Sequence, residues 1–338
     1  MWKKLSLAVV AGLAVLAAAA YTAFQLSPWP AVWLIRHSFD AGAAAASASV
    51  AGLVPTDGIA RHGISYAPGD PDAVLDVYAP AAAKIPLPAV VWVHGGGFVS
   101  GSRKDLDGYL RILAARGFVT VAVDYTTAPE ARFPTPLRQT SAALAHVRAE
   151  AGRYGIDPDR IFLAGDSAGA QIAAQTALAI SDPVYARQVG LDPGFPRAAL
   201  RGVVLYCGPY DATSLNFEGP FGAFMRTVIW AYAGTPDPRD PRVAALAVTP
   251  HLTAGFPPAF VSVGNADPLA PQSYAFAAAL RARGSEVETL FFPDDRRPPL
   301  DHEYQLLAAT EAGRLALDRS VAFLEAHAGS AFGEKPAR

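Results

Sequence analysis

Apolar and polar positions divide this chain into three regimes. Residues 5–24 carry no charge, and the run is long enough to cross a bilayer as one helix, with Ser6 and Thr22 its only hydroxyl groups before Phe24 apart from Tyr21. Ser27-Pro28-Trp29-Pro30 then stops that helix. A second apolar patch comes next (Trp33, Leu34, Ile35, Phe39), and then an Ala-rich stretch at 41–51. These read as helical pieces lying on a surface, either a membrane or the rest of the protein.

From Gly58 onward the pattern changes. Residues 63–67 and 74–78 read as two strands joined by a turn at Pro68-Gly69-Asp70-Pro71. Continuous apolar runs at 89–93 and 118–123 predict strands buried on both faces. Further strands are expected at 160–164, 203–207, 259–263 and 287–292. Helical spacing at 106–116, 136–154, 170–180, 272–283 and 308–326 separates or follows them. Strands alternating with helices predict an α/β fold with a mostly parallel central sheet and helices on both faces. Residues 209–255 break the alternation and are rich in Pro, Gly and aromatic residues, including Phe217, Phe221, Phe224, Trp230 and Tyr232. They read as an insertion over the sheet edge, either a lid or an ordinary packed subdomain. The expected division is 1–26 as signal anchor or signal peptide, 27–57 as an N-terminal helical segment, and 58–330 as the main domain with its insertion.

Composition narrows the function. The chain has 338 residues, 51% of them apolar, which suffices for one large domain with an insertion. A net charge of −2 with no long basic run argues against nucleic acid as a partner. Cys207 is the only cysteine, so no intrachain disulfide can form, and its place in an apolar run reads as a small buried hydrophobe. No cysteine cluster or H-E-x-x-H motif points to a metal. Lys3 and Lys4 ahead of the 5–24 run predict export of the downstream domain. The run length favours an anchor that stays in the membrane, with the domain outside the cytoplasm. Cleavage after Ala20, leaving a secreted or periplasmic protein, is the alternative.

The chemistry gathers at the ends of the expected strands. Gly165-Asp166-Ser167-Ala168-Gly169 lies between a strand and a helix of small residues. A serine on such a turn projects its hydroxyl above the sheet edge, and the glycines two before and two after it allow strand and helix to approach. His94-Gly95-Gly96-Gly97 directly follows the 89–93 strand, so its backbone N–H groups can point at a ligand. The N–H groups of Gly96, Gly97 and Ala168 are the candidate donors to an oxyanion, where losing one such donor costs about 3 kcal/mol. A phosphate-cradling loop is the weaker reading, since no Gly-Lys-Ser/Thr follows. A serine nucleophile needs a base, and the base an orienting carboxylate, in the chain order Ser, acid, His. Of His251, His302 and His327, His302 follows the last strand by a short loop and is the candidate base. Asp267, just past the 259–263 strand, is the candidate acid; Asp294, Asp295 and Asp301 read as solvated charges. Asp166 reads as structural support for the turn.

With these residues in view, the chain resembles the hormone-sensitive-lipase-like group of α/β-hydrolases, the bacterial family IV carboxylesterases. The likeness rests on His94-Gly95-Gly96-Gly97, Gly165-Asp166-Ser167-Ala168-Gly169, Asp267-Pro268-Leu269 and His302. Asp124-Tyr125-Thr126-Thr127-Ala128-Pro129-Glu130, Phe133-Pro134 and the 155–161 segment add to it. The resemblance implies an α/β-hydrolase fold, esterase activity on short to medium acyl chains and no cofactor. It also implies a helical cap built from the N-terminal helices and the insertion. Three positions depart from the group: Thr126-Thr127 where Arg-Leu is frequent, Ala170 for a third glycine, and Glu303 after the histidine where Gly-Phe is frequent. None removes a catalytic group. The alternatives are an amidase or peptidase on the same fold, or a non-catalytic small-molecule-binding member.

Overall fold

The computed structural model describes the backbone of residues 2–329, with the side-chain surroundings of 2–9, 40, 41 and 45 outside the description. Met1 of the expected leader and Ser330 at the expected domain end lie outside the described residues. Among the described residues eight strands form one sheet: β1 (Gly58–Ser65), β2 (Val74–Pro80), β3 (Leu87–Val93), β4 (Val119–Val123), β5 (Ile156–Asp166), β6 (Leu200–Tyr206), β7 (Ala259–Ser262) and β8 (Val287–Leu290). The helices are α1 (Trp2–Leu26), α2 (Trp29–Val50), α3 (Asp107–Ala114), α4 (Thr135–Ala149), α5 (Ala151–Tyr154), α6 (Ser167–Ser181), α7 (Pro183–Gln188), α8 (Gly219–Ala233), α9 (Pro241–Ala244), α10 (Ala270–Ala282) and α11 (Glu311–His327).

The strand order is β1-β2-β4-β3-β5-β6-β7-β8. The pairs β1/β2 and β2/β4 are antiparallel; every other neighbouring pair is parallel. The expected mostly parallel α/β sheet is therefore present. From β3 the chain first moves outward to β4 and then returns past β3 to β5. The carboxyl ends of β3 and β5 thus flank a topological switch point, where a crevice for ligand opens.

Alternation along the central strands builds two cores. Val91, Val93 and Leu163 face one side with Leu137 and Leu144 of α4, Ile172 of α6 and Phe276 of α10. Val90, Trp92, Phe162 and Ala164 face the other with Leu110 of α3 and Leu317 and Phe323 of α11. Side chains of a strand point to opposite faces in turn, so a run that is apolar throughout requires a cover on both.

Element ends depart from the sequence expectations for local reasons. β1 starts at Gly58, because a register shift between Arg61 and Ile64 lets the strand continue past Gly63, whose N–H donates to Asp76 Oδ1 (2.7 Å). The helix expected over 136–154 is two, broken at Glu150 and ended by Gly155 in the left-handed region (φ +72°). α11 begins at Glu311, where the Thr310 hydroxyl caps it by accepting from Gly313 N–H (3.0 Å).

α2 is a two-sided helix. Val32 is fully buried, whereas Trp33 and Leu34 are 67% and 51% exposed. Its inner face meets α8, where the Phe39 and Phe224 rings lie 5.8 Å apart. Arg36 fastens it to the sheet domain. Its guanidinium donates to both carboxylate oxygens of Glu130 (2.7 and 2.6 Å), to Val99 O (2.6 Å) and to Ala128 O (3.1 Å). Among the described residues no single helix is long and apolar enough to cross a membrane; 10–26 with 29–53, bent by 87°, pass together on length and composition only.

Candidate active site

Ser167 sits at the junction of β5 and α6 with φ +51°, a left-handed backbone that an L-residue adopts only at a cost. Close packing enforces the turn. A Cβ on Gly165 would lie 2.5 Å from the carbonyl of Gly169, and one on Gly169 would overlap the carbonyl oxygens of Val93 and His94. The glycines flanking the serine are therefore a steric requirement of strand, turn and helix crossing at one point.

His302 and Asp267 come from loops after β8 and β7, and those loops are tied together. Asn265 Oδ1 accepts from Leu300 N–H (2.9 Å), and Ala266 N–H donates to Leu300 O (3.0 Å). Gly264 passes so near Leu300 that a Cβ would overlap its carbonyl. Asp267 Oδ1 accepts from Leu269 N–H (2.7 Å), which orients the carboxylate. Its Oδ2 lies 2.8 Å from His302 Nδ1, and His302 Nε2 lies 2.8 Å from Ser167 Oγ. An ionised carboxylate can only accept, so Nδ1 carries the proton and Nε2 is free to accept from the serine hydroxyl. Burial, the largest influence on the imidazole, pushes its pKa down; its neighbours, the hydrogen-bonded Asp267 carboxylate among them, outweigh it and hold His302 well above the usual histidine value.

The His94-Gly95-Gly96-Gly97 loop faces the serine across the cleft. Gly96 and Gly97 both have positive φ (+98° and +61°), so the loop turns tightly. Gly96 O accepts from Val99 and Ser100 N–H (3.1 and 3.0 Å). The N–H groups of Gly96 and Gly97 donate to no described backbone or side-chain acceptor, and Ala168 N–H lies in the first turn of α6, where no intrahelical acceptor exists. The His94 ring stacks on Tyr125 at 4.4 Å, and the Tyr125 hydroxyl donates to His94 O (3.2 Å), fixing the loop from below.

Asp166 supports both sides of the site. Its carboxylate accepts from Trp92 Nε1–H (2.7 Å) and Gly95 N–H (2.9 Å), so it links β3, the glycine loop and the serine turn. Burial, then the charge of Glu303, raises its pKa to about 7. Glu303 itself stands at φ +59° with its carboxylate 3.8 Å from His302 Nε2.

These groups open into a cavity of about 640 Å³ whose walls include Phe39, Ala43, Phe221, Phe224, Met225 and Val228. The N-terminal helix α2 and the insertion helix α8 thus both contribute apolar walls. The insertion also packs as ordinary core, since Tyr232 is fully buried and stacks on Phe98 at 4.2 Å. Every candidate from the sequence, namely His94, Gly95, Gly96, Gly97, Asp166, Ser167, Ala168 and His302, borders this cavity, and Asp267 stands behind His302. Gly165 and Gly169 are buried in the turn. His251 packs on Tyr185 and His327 pairs with Glu286, both away from Ser167. Asp301 lines the cavity without replacing Asp267 as the partner of His302 Nδ1. Two contributors had no role assigned from the sequence. Arg36 was visible as the one cation in an apolar stretch, and Glu303 was visible as a departure after the histidine.

The sequence profile of the α/β hydrolase fold family matches residues 90–296. The chain belongs to this α/β-hydrolase family. Esterase LipQ of Mycobacterium tuberculosis is 31% identical over 272 residues, which cover 77% of this chain. The match spans 61% of that relative's length. A crystal structure of esterase B from Lactobacillus rhamnosis, inhibited by a tributyrin phosphonate, superposes with a TM-score of 0.77 at 22% identity, covering 88% of this chain and 96% of that one. At that identity the likeness speaks to the fold. The hyperthermophilic esterase of Pyrobaculum calidifontis gives a TM-score of 0.70 at 27% identity, covering 88% and 94%. The resemblance of this α/β-hydrolase to the hormone-sensitive-lipase-like carboxylesterases agrees with these matches.

Proposed function

We propose that this α/β-hydrolase is a serine carboxylesterase that cleaves short- to medium-chain carboxylic esters by two-step acyl transfer. The observation that carries the reading is the line of hydrogen bonds from Ser167 Oγ through His302 to Asp267 at the floor of an apolar cavity. His302 removes the serine proton as Oγ attacks the ester carbonyl, and Asp267 keeps the imidazole in the tautomer that accepts it. The N–H groups of Gly96, Gly97 and Ala168 receive the oxyanion; being unengaged, they need not break other bonds first. The imidazolium then protonates the leaving alkoxide. Water, deprotonated by the same nitrogen, releases the acid. The relatives named as esterases support this chemistry. As part of the same proposal, the uncharged 5–24 run behind Lys3 and Lys4 is a signal anchor that holds the domain outside the cytoplasm, or a signal peptide whose cleavage releases it, to be checked by fractionation of the full-length chain.

Hydrolysis of p-nitrophenyl esters from acetyl to palmitoyl tests the reading. Wild type turns over with an optimum at short or medium chains, and Ser167→Ala loses activity by a factor on the order of 10⁴ or more. Retained activity in the variant would remove Ser167 from the mechanism.

A further inference from the structure

The Glu303 carboxylate has no part in the acyl-transfer mechanism, although it stands beside the reacting atoms. Its Oε1 is 3.8 Å from His302 Nε2, the nitrogen that also meets Ser167 Oγ. The backbone there is left-handed (φ +59°, ψ +21°), an unfavourable choice for a glutamate and one held by its surroundings. The side chain turns inward toward the glycine loop. A Cβ placed on Gly95 would collide with Asp166 Oδ2 and lie 2.8 Å from Glu303 Oε1, so both carboxyl groups press on the same face of Gly95. The two oxygens crowd that one point, so the carboxyl groups are close neighbours. Two carboxyl groups can bond only if one of them keeps a proton.

We propose that Asp166 and Glu303 share one proton and act as a clasp that fastens the His302 loop to the glycine loop, making Glu303 a positioning residue for the base. The proposal rests on the esterase reading. Asp166 is anchored from its own side by Trp92 Nε1–H and Gly95 N–H, so it forms the fixed half. Glu303 is the half carried by the base loop. With the shared proton in place, His302 Nε2 stays at hydrogen-bond distance from Ser167. Loss of the proton to water leaves two adjacent carboxylates, whose repulsion drives the base loop outward.

The neighbour that titrates with the pair is His302, whose imidazolium, held well above the ordinary histidine value, offsets a second negative charge until it loses its own proton. Asp166 faces His94, Tyr109, Tyr125 and Tyr206, while Glu303 faces His302 and Cys207. Burial keeps the phenols and the thiol neutral, with Tyr206 pushed up to about 12, Cys207 to about 11, and Tyr109 and Tyr125 well above the ordinary tyrosine value. Among the described residues lining the cavity there is no lysine or arginine to neutralise a second negative charge. Asp166, raised to about 7 by burial first and then by the neighbouring charge, therefore gives up its proton near neutrality.

The test follows kcat and KM for p-nitrophenyl butyrate against pH in wild type, Glu303→Gln and Glu303→Ala. In wild type kcat falls roughly tenfold on the alkaline side while KM changes little, as expected when a base loop shifts by a fraction of an ångström. Glu303→Gln keeps a hydrogen bond without the second charge, so its alkaline fall disappears. Glu303→Ala is low at every pH. An identical alkaline limb in wild type and Glu303→Gln, or a flat alkaline profile in wild type, overturns the proposal. Difference infrared titration reads the same proton without turnover. Wild type shows a buried protonated carboxyl that is lost near neutrality, and its absence also overturns the clasp. No ester hydrolysis by wild type would sink the esterase reading, whereas the infrared band still reports whether the carboxyls share a proton.

Discussion

Removing the Arg36 guanidinium should loosen the cap without disturbing the reacting groups. In Arg36→Ala, α2 loses the fork to Glu130 and the bonds to Val99 O and Ala128 O. The ion pair is partly exposed, with side-chain exposures of 28% for Arg36 and 41% for Glu130, so it contributes only about 0–1 kcal/mol. The two bonds to buried-side carbonyls contribute roughly 1 kcal/mol each. The sum, about 2 kcal/mol, is about a 30-fold shift in the equilibrium between docked and undocked α2. Phe39, Gly42, Ala43 and Ala46 of that helix line the cavity, so undocking removes part of the acyl wall. The expected result is a several-fold rise in KM for longer p-nitrophenyl esters, a smaller effect on acetate, and faster amide exchange over α2. Arg36→Lys keeps the charge but not the planar fork, so it should fall between wild type and alanine. Unchanged KM across the acyl series together with unchanged exchange over α2 would refute the reasoning.

Three other outcomes are expected from the same geometry. Gly169→Ala should cost about 3 kcal/mol or more, because its Cβ would overlap the Val93 and His94 carbonyls, which are backbone and cannot swing aside; a urea midpoint close to wild type would contradict this. The acid limb of kcat/KM should lie above the ordinary imidazole value of about 6.5, since turnover needs neutral His302 and its pKa is raised; a limb at or below that value would show that burial prevails. Asp76 is held below the usual carboxylate range: burial opposes its ionisation most, but hydrogen bonds from His62, Gly63 N–H and Arg103 prevail. Its stabilising contribution is present above the unfolded-state value of about 3.9 and is lost as pH falls through the lower folded-state value. Wild type should therefore lose more stability in acid than Asp76→Asn, as read by chemical denaturation on either side of that range.

Local signals carried much of the fold and the site. The apolar run that became β3 needed no tertiary knowledge, because a strand covered on both faces must be apolar at every position. Ser167 was legible because its turn demands glycine at fixed offsets, and the collisions a Cβ would meet at Gly165 and Gly169 supply the reason. Asp267 and His302 were legible by their order after Ser167 and by their places past strand ends. Helix breaks were less so. Glu150 is a good helix former, yet the chain bends there to bring Gly155 and the start of β5 alongside Leu87.

What the sequence by itself determined was the alternation of strands and helices, the serine turn and the glycine loop, since each is set by residues within a few positions of one another. Only the tertiary structure decided which distant groups meet. Asp267 finds His302 across 35 residues, and Arg36 finds Glu130 across 94. The meeting of Asp166 with Glu303 depends on two loops converging on Gly95. No periodicity encodes such pairs, because strand order and the close approach of loops above the sheet edge bring them together. Burial there also shifts the protonation of groups whose ordinary pKa values lie far from neutrality.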